Sequence, residues 1–291
     1  MGYVLALAGN QNCGKTTLFN ALTGSNQHVG NFPGVTVEKK EGQIKNFKEA
    51  ALVDLPCIYS LSPYTSEEIV TRDFILREKP SAIINIVDAT NIERNLYLTL
   101  QLMELDVPMI MALNMMDEVR ASGNSIDVEK LSEHLGMPIV PISASKGEGM
   151  TELIKVVRET VTGENKPVNF DFCFGEVHKA IHAIYHIIED QAKEADYPWR
   201  FAATKLVEGD EPMMAALHLS VNQRHIVDHV VEEMECKLGT DREAALADMR
   251  YSYIEHICGE CVHKQQETRE QIRSEKIDRL LTHKYLGIPF F

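Results

Sequence analysis

Residues Gly9-Asn10-Gln11-Asn12-Cys13-Gly14-Lys15-Thr16 fit the spacing G-x-x-x-x-G-K-[ST]. That spacing holds phosphate. The glycines let the backbone approach the oxygens closely, and the loop N–H groups and the start of the next helix face the negative charge. Lys15 would reach the β- and γ-phosphates, the Thr16 hydroxyl would ligate Mg²⁺, and Thr17 follows at the same end. A chance glycine turn before a helix is the competing reading. The context favours the loop, because the apolar run Tyr3 to Ala8 reads as a buried strand and Lys15 to Leu22 has helical character.

Four further elements follow in order. Thr36, after Gly34 and Val35, can ligate Mg²⁺ through its hydroxyl and bond a γ-phosphate through its N–H, which would make its loop a switch. Asp54 begins Asp54-Leu55-Pro56-Cys57 at a strand end, where a carboxylate can hold Mg²⁺ through water. Asn114-Met115-Met116-Asp117 ends another strand. The Asp117 carboxylate can accept from guanine N1–H and the 2-amino group, a pair that adenine does not present, and Asn114 can bond the loop backbone and the base edge. Ser143-Ala144-Ser145 ends the last strand, where a backbone N–H can meet guanine O6. Taken alone, each motif has an ordinary structural explanation: a polar helix start, a turn aspartate, a strand threonine. All five at the C-terminal ends of predicted strands, where an open α/β sheet binds its ligand, point to GTP and GDP.

The positioning elements follow from the same pass. Residues 3–163 alternate strand-like and helix-like segments, predicting a mixed, mainly parallel α/β sheet of the P-loop type. Ser25 to Lys40 reads as loop. Val35 to Lys45 and Phe47 to Val53 read as a hairpin, and Ala82 to Val87, Met109 to Leu113 and Ile139 to Ile142 as buried strands. Helices are expected near 67–78, 92–105, 127–135 and 150–162. After a linker at Gly163 to Pro167, helical spacing recurs over 175–194, 199–208, 222–238 and 242–262, predicting a small all-α domain. The divisions are 1–165, 166–265 and a linker at 266–291, and that last part is expected to be poorly packed.

Composition narrows the function classes. A net charge of −14 over 291 residues lacks the basic footprint of a nucleic-acid binder. Six cysteines in a chain this long fit a reducing compartment better than a disulfide scaffold. Met1 leads straight into the first strand without a signal peptide, and no apolar run reaches the ~18 residues of a membrane span. The stretch 264–291 is locally basic, with Lys264, Arg269, Arg273, Lys276, Arg279 and Lys284 against Glu267, Glu270, Glu275 and Asp278.

Several longer segments resemble one family. Val29-Gly30-Asn31-Phe32-Pro33-Gly34-Val35-Thr36-Val37-Glu38 is similar to the first switch of the ferrous iron transport protein B family, FeoB. So are Ser66-Glu67-Glu68 with Arg72-Asp73, Glu93-Arg94-Asn95-Leu96-Tyr97-Leu98-Thr99, Ala112 to Glu118 and the tail Lys276 to Pro289. The resemblance implies a slow GTPase domain, a helical domain that stabilises bound GDP, and a membrane domain for Fe²⁺ beyond this chain. It implies a place on the cytoplasmic face of the bacterial inner membrane, small FeoA-type regulatory partners and homo-oligomers. It also implies that Asn12 helps hold a K⁺ ion in place of an arginine finger; the competing, weaker reading is that Asn12 merely caps the loop, a turn role that Asn serves readily. Cys57 departs from the usual D-x-x-G pattern. A Cβ there either weakens the link between γ-phosphate and the second switch or is neutral if the loop never needs positive φ. Ile58 stands where related enzymes carry a water-orienting glutamine, so no side chain is an evident general base.

His256, Cys258, Cys261 and His263 form H-x-C-x-x-C-x-H, which invites a zinc or iron reading. The segment reads as continuous helix, on which 258 and 261 share a face but the histidines need not join them, so a core cysteine pair is the simpler reading. Cys13 reads as a small apolar residue under the loop, and Trp199 as a helix start and core anchor. A soluble ribosome- or RNA-associated GTPase is the rival function, and an acidic second half argues against it. A metal sensor built on the His/Cys cluster is a third.

Overall fold

The computed structural model describes residues 2–24, 27–163 and 172–264. The first part runs β1 (Tyr3–Gly9), α1 (Lys15–Thr23), β2 (Gln27–Asn31), β3 (Glu38–Ile44), β4 (Phe47–Asp54), α2 (Ser66–Glu78), β5 (Ala82–Asp88) and α3 (Ile92–Met103). It continues with β6 (Met109–Asn114), α4 (Met116–Ala121), β7 (Ser125–Ile126), α5 (Val128–Leu135), β8 (Ile139–Pro141) and α6 (Met150–Val161). The helical part comprises α7 (Gly175–Glu194), α8 (Trp199–Glu208), α9 (Glu211–Ala216), α10 (Val221–Leu238), α11 (Arg242–Cys261) and the short β9 (Val262–His263).

Seven strands form one sheet in the order β2-β3-β4-β1-β5-β6-β8. The pairs from β4 through β8 are parallel, and β2 and β3 add an antiparallel edge. Alternation within β1 feeds two cores. Leu5 and Leu7 face α1 and α6 with Phe19, Leu22, Leu153 and Val157. Ala6 and Ala8 face a second cluster that includes Leu96, Leu100 and Leu131 and continues without a break into Ile184, Phe201, Val231 and Ile257 of the helical part. The helical part therefore shares its core with the α2–α3–α5 side of the sheet. A two-stranded ribbon, β7 with β9, also ties the end of α11 to that side.

Four expectations need correction. The stretch read as loop contains β2, whose residues are mostly exposed and pair only through the backbone with β3, so no apolar pattern announces it. Glu38, not Val35, opens β3, because Gly34 at φ 78° and the Phe32 N–H to Val37 O bond (2.9 Å) turn the chain first. The segment read as continuous helix stops at Cys261, and His263 belongs to β9. Trp199 does start a helix, but it is 37% exposed, and Phe201, fully buried two residues on, is the anchor. The short helices α4 and α9 had no periodic signal long enough to read. The expectations for the linker beyond Gly163 and for the tail after Lys264 fall outside the described residues.

Candidate functional site

The phosphate loop sits between β1 and α1 at the C-terminal edge of the sheet. Gly9 is required by close approach: a Cβ there would lie 2.6 Å from Ile86 Cγ2 and 2.8 Å from Cys13 Sγ. Gly14 is left-handed at φ 89°, and a Cβ there would strike the Asn114 amide. Asn12 also adopts positive φ, at 65°, which asparagine tolerates better than most residues. No side chain caps α1, whose N-cap is Gly14, so its first N–H groups are left for an anion. Asn10 is buried, and its side-chain amide N and O lack partners among the described residues, a cost that a bound polar group would remove. Cys13 is buried in the core beneath the loop, and that burial pushes its thiol up to about 12. These features fit a nucleotide phosphate.

Lys15 and Asp54 form a buried ion pair, so the two expected charged groups of the phosphate and Mg²⁺ site meet here. Thr16 and Thr17 lie exposed at the start of α1. Backbone bonds seat the segment after β4 against the loop strand: Leu55 N–H donates to Leu7 O (3.0 Å) and Ile58 N–H to Gly9 O (3.4 Å). Pro56 and Cys57 are half-buried between them, and Cys57 is absent from the residues at positive φ. Gly34, Val35 and Thr36 are exposed at the tip of the β2–β3 hairpin. No bond among the described residues ties Thr36 to Lys15 or Asp54.

Asn114 is the keystone of the base-side residues. Its Nδ2 donates to Cys13 O (2.8 Å) and its Oδ1 accepts from Ala144 N–H (2.9 Å), which joins the phosphate loop to the Ser143-Ala144-Ser145 turn. Asn114 thus bonds the loop backbone, and the Ala144 N–H of the turn is directed at Asn114. Met115, left-handed at φ 63°, aims Asp117 into the first turn of α4. The Lys146 ammonium lies 2.9 Å from Asp117 Oδ2. Hydrogen bonds from Lys146 and then Ser143 hold that carboxyl below the usual carboxylate range. Sequence reading missed Lys146, and its place directly after Ser143-Ala144-Ser145 was the available signal. It also missed Gln101, a buried α3 side chain whose Oε1 accepts from Leu61 N–H at 2.6 Å.

Cys258 and Cys261 are buried in the apolar cluster, while the His256 side chain is 62% exposed and reaches Glu260 at 3.6 Å. Burial pushes the Cys258 thiol up to about 12. Among the described residues no group of three or more His, Cys, Asp or Glu is arranged to hold a metal.

A mainly parallel sheet carrying a P-loop, an N-x-x-D turn and a serine-alanine turn at one edge defines a P-loop GTPase fold. Residues 3–157 match the family described as ferrous iron transport protein B, and residues 174–263 match the FeoB cytosolic helical domain. The chain belongs to the ferrous iron transport protein B family. It is 37% identical to an Fe(2+) transport protein A/Fe(2+) transporter FeoB fusion protein of Porphyromonas gingivalis, over 100% of this chain and 36% of that protein. Its fold matches a mutant NFeoB of S. thermophilus bound to GDP, with TM-score 0.84, 41% identity, 90% of this chain and 100% of that one covered. It also matches S. thermophilus NFeoB bound to GDP·AlF4⁻ and K⁺, with TM-score 0.79, 42% identity, 89% of this chain and 100% of that one. The chain spans less than half the length of the curated relatives it matches, 36% of the fusion protein and 43% of the Methanocaldococcus jannaschii transporter. Among the described residues no helix is long and apolar enough to cross a membrane.

Proposed function

We propose that this chain binds GTP and GDP and hydrolyses GTP slowly, as the nucleotide switch of a ferrous iron transporter at the cytoplasmic face of the bacterial inner membrane. The carrying observation is the Asn114 bridge beside the Lys146-held Asp117, which fixes an acceptor carboxylate at the base end of a P-loop. Adenine offers that acceptor no matching donors, so it is disfavoured by an unpaired polar group once the base covers the site. Lys15, with the loop N–H groups, would neutralise phosphate charge, while Thr16, Thr36 and Asp54 would hold Mg²⁺, the cation that stabilises the transferring phosphoryl group when bound. Asn12, at the open side of the loop, would help hold K⁺, as the K⁺-containing complex of the S. thermophilus relative suggests. Thr36 would have to fold inward from its exposed hairpin tip, which is the movement expected of a switch.

We assign the nucleotide part to 1–165, the helical part to 166–265 and a linker to 266–291, close to the family matches at 3–157 and 174–263. A FeoA-type protein is a fitting partner, since one relative is a fusion with such a chain. A membrane domain and further copies of the chain are the other partners. The deciding experiment measures GTP, ATP and xanthosine triphosphate affinity of the parent and of Asp117→Asn. GTP should win in the parent, and the variant should shift toward the xanthine nucleotide. Equal GTP and ATP affinity in the parent would overturn the assignment.

A further inference from the structure

Three histidines follow one another at single-turn spacing on α7, His178, His182 and His186; the first two rings meet, while His186 is exposed with its ring against Tyr185 (5.1 Å). The His178 and His182 ring centroids are 4.3 Å apart, with the planes tilted by 46°. Imidazoles at i and i+4 on a helix are the ligand pair used by H-E-x-x-H metal sites. We propose that His178 and His182 chelate a divalent first-row transition cation, with water completing its shell.

The spacing supports this. With metal–nitrogen bonds of about 2.1 Å, a bound ion sits roughly 3.2 Å from each ring centre, so bonds at right angles place the centres about 4.5 Å apart and tetrahedral bonds about 5.3 Å. The observed 4.3 Å is compatible with the right-angled case and too short for the tetrahedral one. A right angle is that of an octahedral ion with open positions, as Fe²⁺, Co²⁺ and Ni²⁺ prefer, and imidazole is a suitable donor for all three. The other histidine groups fit less well. His134 and His256 have centroids 6.1 Å apart, and the Glu260 carboxylate between them already holds the Lys130 ammonium at 2.8 Å, a cation where the metal would sit. His225 and His229 share the i, i+4 spacing on α10 but stand exposed.

The molecule carries its own reporter. Trp199, the one tryptophan of the chain, has its ring 5.6 Å from that of His182. An ion with a partly filled d shell at this distance quenches indole emission. The test titrates the 291-residue chain with Ni²⁺ and Co²⁺, and with Fe²⁺ under anaerobic conditions, following Trp199 fluorescence. Quenching should saturate at one ion per chain and reverse with EDTA. His178→Gln and His182→Gln should each abolish it at concentrations that saturate the parent, while His225→Gln should not change it. A melting temperature raised by metal in the parent and not in the two variants gives a second readout through ligand linkage. If His182→Gln is less stable without metal, His178→Gln carries the test alone. An unquenched parent, or quenching that survives His178→Gln, overturns the proposal. Neither readout depends on nucleotide turnover, so this result and the GTP assignment fail separately.

Discussion

Asn12 and Cys57 are the two loop positions at which backbone conformation decides chemistry. Asn12, exposed at φ 65°, can present its amide to a cation at the phosphate end. Turnover in KCl should therefore exceed turnover in NaCl at matched ionic strength, and Asn12→Ala should erase the difference. Identical rates in the two salts would reject the role. Cys57 raised the question of whether a Cβ is tolerated where glycine is usual. The residue is not in the left-handed region, so its side chain carries no backbone strain in this conformation. Cys57→Gly should then lower stability by roughly 0.5–1 kcal/mol through the freer unfolded chain. It should leave the GTP-to-GDP affinity ratio unchanged. A shifted ratio in nucleotide-release measurements would restore the view that Cys57 weakens the second switch. The phosphate loop, Asp54, Asn114 and Asp117 were legible because each is a short motif whose spacing is the chemistry. Lys146 was not, because its one signal, the place directly after Ser143-Ala144-Ser145, gains meaning only when Asp117 is found 2.9 Å away.

Between residue and domain, α2 is the element that touches both the β2–β3 hairpin and the loop after β4. Its N-terminus is a full capping box, in which Thr65 accepts from Glu68 N–H (3.2 Å) and Glu68 accepts from Thr65 N–H (3.1 Å). Glu68 also accepts from Ser60 Oγ at 3.0 Å, so the cap reaches back into the loop after β4. One helical face presents Phe74 edge-on to Phe32 of the β2–β3 hairpin, with ring centres 6.0 Å apart. Removing the cap should both fray the helix and free the loop. Thr65→Ala is expected to cost about 1 kcal/mol in thermal unfolding. Amide exchange should rise over residues 58–68 before it rises in β1 or β5. Uniform exchange across the sheet would mean that α2 is not a separate unit. Sequence alone located α2 to within one residue at its start, because helix boundaries follow local rules. It could not see that the edge strand β2 accompanies it, because β2 gains its stability from pairing with β3 rather than from an apolar pattern.

At the scale of the whole molecule, the nucleotide part and the helical part meet across buried charge. Arg250 of α11 is fully buried and faces Glu208 of α8 at 3.1 Å and Glu104, at the end of α3, at 3.5 Å. Glu104 shares that guanidinium and makes no hydrogen bond of its own among the described residues, and burial holds its carboxyl above the ordinary range. A carboxyl raised in the fold binds its proton more tightly there than in the unfolded chain. Its contribution is therefore full below about pH 4.3, the ordinary value, and fades as pH rises through the raised value. Unfolding free energy measured from acid to neutral pH should fall less steeply, or rise more steeply, in Glu104→Gln than in the parent. Parallel curves would show that Glu104 titrates normally.

Arg72 and Asp210 make another buried charged contact across the seam, and their test is the sharper one because the two side chains have separable duties. Arg72 of α2 gives Nη1 to Asp210 Oδ2 at 2.5 Å and Nη2 to Oδ1 at 3.3 Å, with its guanidinium 5.6 Å from the Phe201 ring centre. Asp210 also caps α9, accepting from Met213 N–H at 2.8 Å. Both side chains are nearly or fully buried, so deleting one leaves the other charged and unpaired, a loss of roughly 3–5 kcal/mol. Asp210→Asn keeps the cap, since asparagine caps as well as aspartate, and removes only the charge. Arg72→Met keeps the cap and leaves the Asp210 charge buried alone. If the pair acts as one unit, Asp210→Asn and Arg72→Met should each be strongly destabilising, and the double variant should cost less than the sum of the two. Chemical denaturation of the four chains measures this coupling. Additive losses would mean that the ion pair is incidental and that the apolar core, continuous from Leu96 to Ile257, holds the two parts together by itself.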